Sequence, residues 1–204
     1  MPKNKSHWYD GKFYDIFIAP NQDRMFSIIL NEIPKQSSVL DVGCGTGRFG
    51  FVASPKVASV VGIDLSEKNI DVANSNLAKN AVSNLSFMHS SVADIKSRGL
   101  HFDVAVMTYV IHEVNPEERI PLLKDILSVA DSLIIGEYLV PRQQGLFNIL
   151  NEVVEFAAGE EHYRNFKSFV ATGGVHGLVA EAGIRILNEI SNQPTTSQII
   201  HIAL

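Results

Sequence analysis

Apolar residues along this chain recur in two rhythms, and the rhythms alternate. Met25, Phe26, Ile28, Ile29, Leu30 and Ile33 recur at helical spacing and stop at Pro34. Val39–Val42 is a short apolar run that reads as a buried strand, interrupted only by Asp41. A short helix from Arg48 to Ser54 ends at Pro55, and the β-branched run Val57–Ile63 reads as a second strand. Ser66 is placed to cap a helix whose Ile70, Ala73 and Leu77 share a face. Leu85–Met88 and Phe102–Met107 read as the third and fourth strands, with a loop between them. Asn115-Pro116-Glu117-Glu118 is a helix start, with Leu122, Leu123, Ile126 and Leu127 on the buried face, although Pro121 offers a second start one turn on. Leu133–Glu137 is the fifth strand. Leu146, Ile149, Leu150, Val153, Val154 and Ala157 form an apolar helical stripe. A helix beginning near Glu160 ends at Gly173-Gly174, and another, Val175–Ala182, closes on Gly183. Ile184–Ile190 and Ser197–Leu204 read as two final strands joined through Asn192-Gln193-Pro194. Strands alternating with helices predict an α/β fold with a largely parallel sheet.

Composition narrows the picture. The chain has 204 residues, which suits one domain spanning residues 1–204. With 46% hydrophobic and 19% charged residues it reads as an ordered globular chain. A formal charge of −5 with no basic block makes nucleic acid a poor expectation as partner. The polar start Met1–His7 lacks the apolar stretch of a signal peptide, and no apolar run approaches the ~20 residues of a membrane span. Cys44 is the single cysteine, so no internal disulfide forms, a radical iron–sulfur triad is excluded, and a reducing compartment is expected. No metal site is expected. The expected location is cytoplasmic, and the expected state is a monomer or homodimer.

Between the first strand and its helix lies Asp41-Val42-Gly43-Cys44-Gly45-Thr46-Gly47. Glycines at alternate positions let the backbone bend sharply and approach a ligand. The following helix presents free N–H groups and the positive end of its dipole to the turn. Asp41 would repel a phosphate there and suits a ligand with cationic or donor groups. The stretch matches D/E-x-G-x-G-x-G in full and resembles the signature loop of class I S-adenosylmethionine-dependent methyltransferases. Gly45-Thr46-Gly47-Arg48-Phe49-Gly50 also spells G-x-G-x-x-G, the dinucleotide fingerprint, which keeps an NAD-dependent oxidoreductase as a rival reading. A subunit that binds S-adenosylmethionine without turnover is a second rival. Asp64, at the tip of the second strand, is placed to accept hydrogen bonds from the vicinal hydroxyls of a ribose, which both cofactors carry.

The resemblance covers nearly the whole chain. It implies a single Rossmann-like domain with a seven-stranded sheet in the order 3-2-1-4-5-7-6, strand 7 antiparallel, and helices on both faces. The implied cofactor is S-adenosyl-L-methionine, with S-adenosyl-L-homocysteine as product. The implied cofactor residues are Asp41, Gly43, Cys44, Gly45, Gly47, Asp64, Leu65, Ser91, Val92, Met107 and Thr108. Gly43, Gly45 and Gly47 would shape the pocket, Asp41 would organise the methionine end, Asp64 would hold the ribose, and Leu65 and Val92 would flank the adenine. Relatives often carry an acid at the position of Ser91. Either Ser91 stands in as a neutral contact or the loop shifts to bring in Asp94, and Ser91 with Val92 is the preferred pair. Phe102–Met107 and the following Thr108-Tyr109-Val110-Ile111-His112-Glu113-Val114 resemble the family's fourth strand and the stretch after it. No D/N-P-P-Y/F/W motif follows, which argues against amino-methylation of DNA bases.

Candidate catalytic residues are His112, a general-base candidate set against a supporting role, and His162 and Tyr163 in the dense polar run Glu160–Phe166. Glu137 either faces the substrate or sits on a solvated rim. Residues 1–36 are expected to form an aromatic cover or lid and a helix, weakly similar to the ubiquinone/menaquinone-type enzymes. Residues 142–176 are expected to form a helical insertion on the acceptor side. The acceptor is expected to be a small molecule.

Overall fold

The computed structural model describes residues 19–141, 155–156, 159–192 and 196–204, with side chains from residue 22 onward. The expected cover at residues 8–20 and the apolar stripe at 146–157 lie outside these, save for Ala19, Pro20, Glu155 and Phe156.

Helix α1 (Ala19–Glu32) leads into β1 (Ser38–Val42), α2 (Arg48–Ala53), β2 (Ser59–Asp64), α3 (Glu67–Asn80) and β3 (Leu85–His89). Then come α4 (Val92–Ser97), β4 (Phe102–Thr108), α5 (Pro116–Leu127) and β5 (Ala130–Tyr138). Helices α6 (Glu160–Ala171) and α7 (Gly174–Ala182) precede β6 (Arg185–Asn192) and β7 (Ser197–Ala203). The strands form one seven-stranded sheet ordered β3-β2-β1-β4-β5-β7-β6. Pairs from β3 to β5 are parallel, and β7 runs antiparallel between β5 and β6. The expected order and the antiparallel strand 7 are both present.

Alternation of side chains along each strand divides the core into two layers. Leu40, Val42, Ala105, Met107, Leu133 and Ile135 pack with α4, α5 and α7. Val39, Val60, Val104, Val106 and Ile134 pack on the other face with α1, α2 and α3. Both faces of the central strands are covered, which is why those strands read as unbroken apolar runs. The order of strands reverses between β1 and β4. A crevice therefore opens beyond their carboxyl ends, where ligands of open α/β sheets bind.

Three local features depart from the sequence reading. The second strand starts at Ser59, because Ser54–Ala58 form a turn held by the Asn84 side chain, which donates to the carbonyls of Ser54, Val57 and Ala58. Pro121 lies inside α5 without dividing it. The buried face of Arg119, Leu123, Ile126 and Leu127 keeps the helix whole despite the lost hydrogen bond. The segment after β3 holds a helix, α4, rather than a loop, and Ser91 is its N-cap.

Candidate functional site

The glycine turn is built by its own backbone. The N–H groups of Gly43 and Cys44 both donate to the Ile63 carbonyl, at 2.8 and 3.0 Å. That ties the turn to the end of β2. Gly43, Gly45 and Gly47 all have positive φ, at +71°, +54° and +86°. A Cβ on Gly43 would meet Val110 at 2.4 Å and one on Gly47 would meet Phe87 at 2.3 Å, whereas one on Gly45 would meet nothing within 4 Å. Gly43 and Gly47 are thus needed for packing as well as for backbone shape. Gly45 is needed for backbone shape and leaves its surroundings open. The Cys44 side chain is buried beside Gly62, and burial pushes its thiol well up, with Asp41 and Asp64 adding to the effect. It presents no thiolate.

Two carboxylates stand at the turn. Asp64 accepts from the Gly45 N–H at 2.8 Å through Oδ2 and from the Ser66 N–H at 2.7 Å through Oδ1. A carboxylate has about four acceptor positions, so each oxygen retains capacity for a ligand hydroxyl. Asp41 is 1% exposed, and its Oδ2 has no hydrogen-bond partner among the described residues. Burial, and next the charge of Asp64, raise its pKa to about 7. A buried carboxylate with an unpaired oxygen is costly unless something supplies a donor or a positive charge.

Around the crevice, Leu65 follows the tip of β2 and is 77% exposed, which leaves its side chain free to cover a ligand. Ser91 and Asp94 form a capping box: the Ser91 N–H and hydroxyl both donate to Asp94 Oδ2, at 2.8 and 2.7 Å, and Ser91 Oγ accepts from the Asp94 N–H. The S-x-x-D spacing was the available signal for α4. Val92 opens that helix, with its side chain in the core. Beside it the buried Ser90 hydroxyl has no partner among the described residues, and the sequence reading gave it no role. Met107 is fully buried on the α5 face and so reaches the crevice with backbone only, while Thr108 ends β4 and is partly exposed.

A second group of side chains lies past the end of β4. His112 is 2% exposed, and its Nδ1 stands 3.0 and 2.9 Å from the two carboxylate oxygens of Glu137. Its Nε2 lies 3.5 Å from Glu155 Oε2 and 4.0 Å from Glu113 Oε1. Glu155 also accepts from the Tyr138 hydroxyl at 2.6 Å and is in direct contact with His162 Nε2. The rings of His112 and His162 meet edge to face at 5.5 Å. Burial alone would lower the pKa of His112, but the carboxylates of Glu137 and Glu155 hold it well above the usual value. Burial tends to raise Glu155, yet hydrogen bonds from His112 and His162 bring it well below the usual range. The structure thus brings His112 and His162 together. It sets Tyr163 elsewhere, against Phe156 at 5.4 Å and Lys167. Glu137 is 0% exposed, not a rim residue. Glu155 and Tyr138 were missed, because nothing in the sequence marks two residues that meet only through folding.

Comparison with known proteins adds to this geometry. Residues 39–132 match a family described as "Methyltransferase domain". The chain is 31% identical over 146 residues to a ribosomal protein L11 methyltransferase of Acetivibrio thermocellus, covering 64% of this chain and 47% of that one. It is 26% identical over 158 residues to a ubiquinone biosynthesis O-methyltransferase of Rickettsia canadensis, covering 76% of this chain and 65% of that one. The crystal structure of magnesium protoporphyrin IX methyltransferase from Synechocystis PCC 6803 with bound S-adenosylmethionine superposes with a TM-score of 0.64, at 19% identity, over 95% of this chain and 85% of that one. The chain spans under two thirds of the length of both curated relatives.

Proposed function

We propose that this chain, whose residues 39–132 match a methyltransferase domain, is a class I S-adenosylmethionine-dependent enzyme that moves the methyl group of S-adenosylmethionine to a small-molecule acceptor. The observation that carries this reading is Asp41: a buried carboxylate with an unpaired oxygen at the glycine turn, suited to a cationic or donor-bearing ligand and unsuited to a diphosphate. In the proposed arrangement Gly43, Cys44, Gly45 and Gly47 wall the methionine and ribose pocket. Asp41 faces the methionine end and Asp64 accepts from the ribose hydroxyls. Leu65 covers one face of the adenine, and Ser91 with the Val92 N–H meets its edge. Thr108 and the backbone of Met107 form the floor.

The reaction is a direct displacement. When bound, S-adenosylmethionine would supply an activated methyl group: a lone pair on the acceptor would displace the sulfur in line, and the electrons of the broken carbon–sulfur bond would neutralise the sulfonium. Holding two reactants in a near-attack pose can supply up to ~7–11 kcal/mol of the barrier, so little further chemistry is asked of the protein. Where the acceptor must lose a proton, His162, at the partly exposed edge of this group, is the proposed base, because His112 is already held in its charged form by Glu137 and Glu155. The names of the relatives span a ribosomal protein, ubiquinone biosynthesis and a magnesium porphyrin, so the reading of the acceptor rests on this chain's own residues. The acidic chain and the residues inserted after β5 support a small molecule. Residues 142–176 are proposed as its side of the site.

Isothermal titration with S-adenosylmethionine, S-adenosylhomocysteine and NAD tests the proposal. Binding of the first two and not of NAD is expected, with at least tenfold weakening in Asp64→Ala. Binding of NAD alone would overturn it, and unchanged affinity in Asp64→Ala would remove the ribose role.

A further inference from the structure

The group past β4 is richer than proton transfer needs. His112 Nε2, Glu113 and His162 offer ligand atoms that all lie within 4.8 Å of one another. Glu155 Oε2 sits among them, 3.5 Å from His112 Nε2 and in contact with His162 Nε2. Nitrogen and oxygen ligands stand about 2.0–2.2 Å from a first-row divalent ion, so two donors on one tetrahedral ion are roughly 3.4 Å apart. The His112–Glu155 spacing is already close to that value; the Glu155–His162 contact would have to open, and Glu113 to close on the other donors, as the ion enters.

The surroundings match as well. Metal-bound histidines generally give their second ring nitrogen to a carboxylate, which sets the tautomer and aims the lone pair. His112 has this arrangement: Glu137, fully buried, takes Nδ1, so that loss of the Nε2 proton to an incoming ion would leave the lone pair facing the cluster. Glu155 is anchored in the same manner by the Tyr138 hydroxyl on Oε1, which leaves Oε2 for the cluster. Charge points the same way. Three carboxylates converge on two imidazoles, with the Arg119 guanidinium also acting on Glu137. The Glu113 side chain is 49% exposed and His162 is 14% exposed, so an ion has a path in.

We propose that His112, Glu113, Glu155 and His162 form a binding site for one first-row divalent metal ion, with Glu137 and Tyr138 as positioning residues. The two-nitrogen, two-oxygen donor set suits zinc, and next manganese or iron, over magnesium or calcium. The sequence reading expected no metal, because these residues are 42 positions apart between Glu113 and Glu155 and match no ligand spacing. The site lies beside the cofactor crevice: Val110, two residues before His112, packs on Gly43. On the methyltransferase reading, the ion stands on the acceptor side and favours acceptors that methylate through oxygen.

The test is calorimetric titration of the chelator-stripped protein with zinc chloride, with manganese and magnesium chlorides run alongside, and the absorption spectrum of the cobalt(II) form. The expected result is one zinc ion per chain, with magnesium far weaker, and a cobalt spectrum of low coordination number. His162→Ala and Glu113→Gln, both at partly exposed positions, should each weaken zinc at least about tenfold in preparations whose circular dichroism matches the wild type. Glu137→Gln should weaken it less. Substoichiometric zinc, or an affinity unchanged in both His162→Ala and Glu113→Gln, would overturn the site. The same preparations titrated with S-adenosylmethionine separate the two readings: zinc binding without cofactor binding leaves the metal site standing and overturns the methyltransferase proposal, and the converse does the reverse.

Discussion

Asp41 shows most directly how one residue trades stability for a site. Its folded pKa of about 7 lies well above the ordinary carboxylate range because burial, and then Asp64, disfavour its charge. A carboxyl group raised on folding is deprotonated first in the unfolded chain. Its contribution to stability therefore falls as pH rises from about 4 to 7 and is flat above that, a cost of up to ~4 kcal/mol. Asp41→Asn should accordingly stabilise the ligand-free protein at pH 8, by an amount that shrinks toward pH 4, as measured by urea unfolding across pH. Binding has the opposite sign. A cationic ligand favours the ionised carboxylate, so affinity for S-adenosylmethionine should rise through pH 7 in the wild type. In Asp41→Asn it should be weaker and lack that rise. A titration series in which the Asn variant keeps the wild-type pH profile would remove Asp41 from the ligand's neighbourhood. The motif around Asp41 is legible in the sequence. Its unpaired oxygen is not, since that depends on which groups fail to reach it.

At the scale of elements, the glycine turn and β3 are coupled through Phe87. A Cβ on Gly47 would meet the Phe87 ring at 2.3 Å, and one on Gly62 would meet it at 2.6 Å. The ring occupies a slot that two glycines leave open, between β2 and the turn. Gly47→Ala adds a steric clash to a left-handed backbone and should destabilise by about 2–4 kcal/mol in chemical denaturation. Phe87→Leu introduced alongside it should recover part of that loss. If the double variant is no more stable than Gly47→Ala, backbone strain rather than the ring accounts for the cost. Helix α4 belongs to this scale too. It has six residues, too few to display a period, yet its Ser91–Asp94 capping box stands in the sequence. Likewise, strand parity alone puts Glu137 on the face of Leu133 and Ile135, toward His112, once the extent of β5 is known.

Across the whole molecule, Arg119 joins the elements that carry the proposed acceptor side. It is 1% exposed, lies over the Phe169 ring at 5.7 Å, and donates to the carbonyls of Val114 at 3.0 Å and Asn165 at 2.7 Å. Asn165 in turn donates to the Glu113 carbonyl at 2.8 Å. Helix α6, with His162, is thereby docked on the segment that carries His112 and Glu113. Arg119→Met keeps the volume and removes the donors, and it should cost about 2–4 kcal/mol. Hydrogen exchange should show the loss of protection concentrated in α6, whereas an even loss over the sheet would mean that Arg119 supports the core at large.

The sequence alone determined the strand and helix rhythm, the glycine turn with its two acids, and through them the fold and the family resemblance on which the proposed cofactor rests. These are local signals: apolar periodicity and positive-φ glycines are written in neighbouring positions, and a parallel sheet built from them has few ways to assemble. The tertiary structure alone decided that His112, Glu113, Glu137, Tyr138, Glu155 and His162 share one place. Those residues come from the β4–α5 segment, the end of β5 and the stretch leading into α6. Their meeting is set by strand order, by side-chain parity and by the docking of α6, none of which leaves a spacing in the chain.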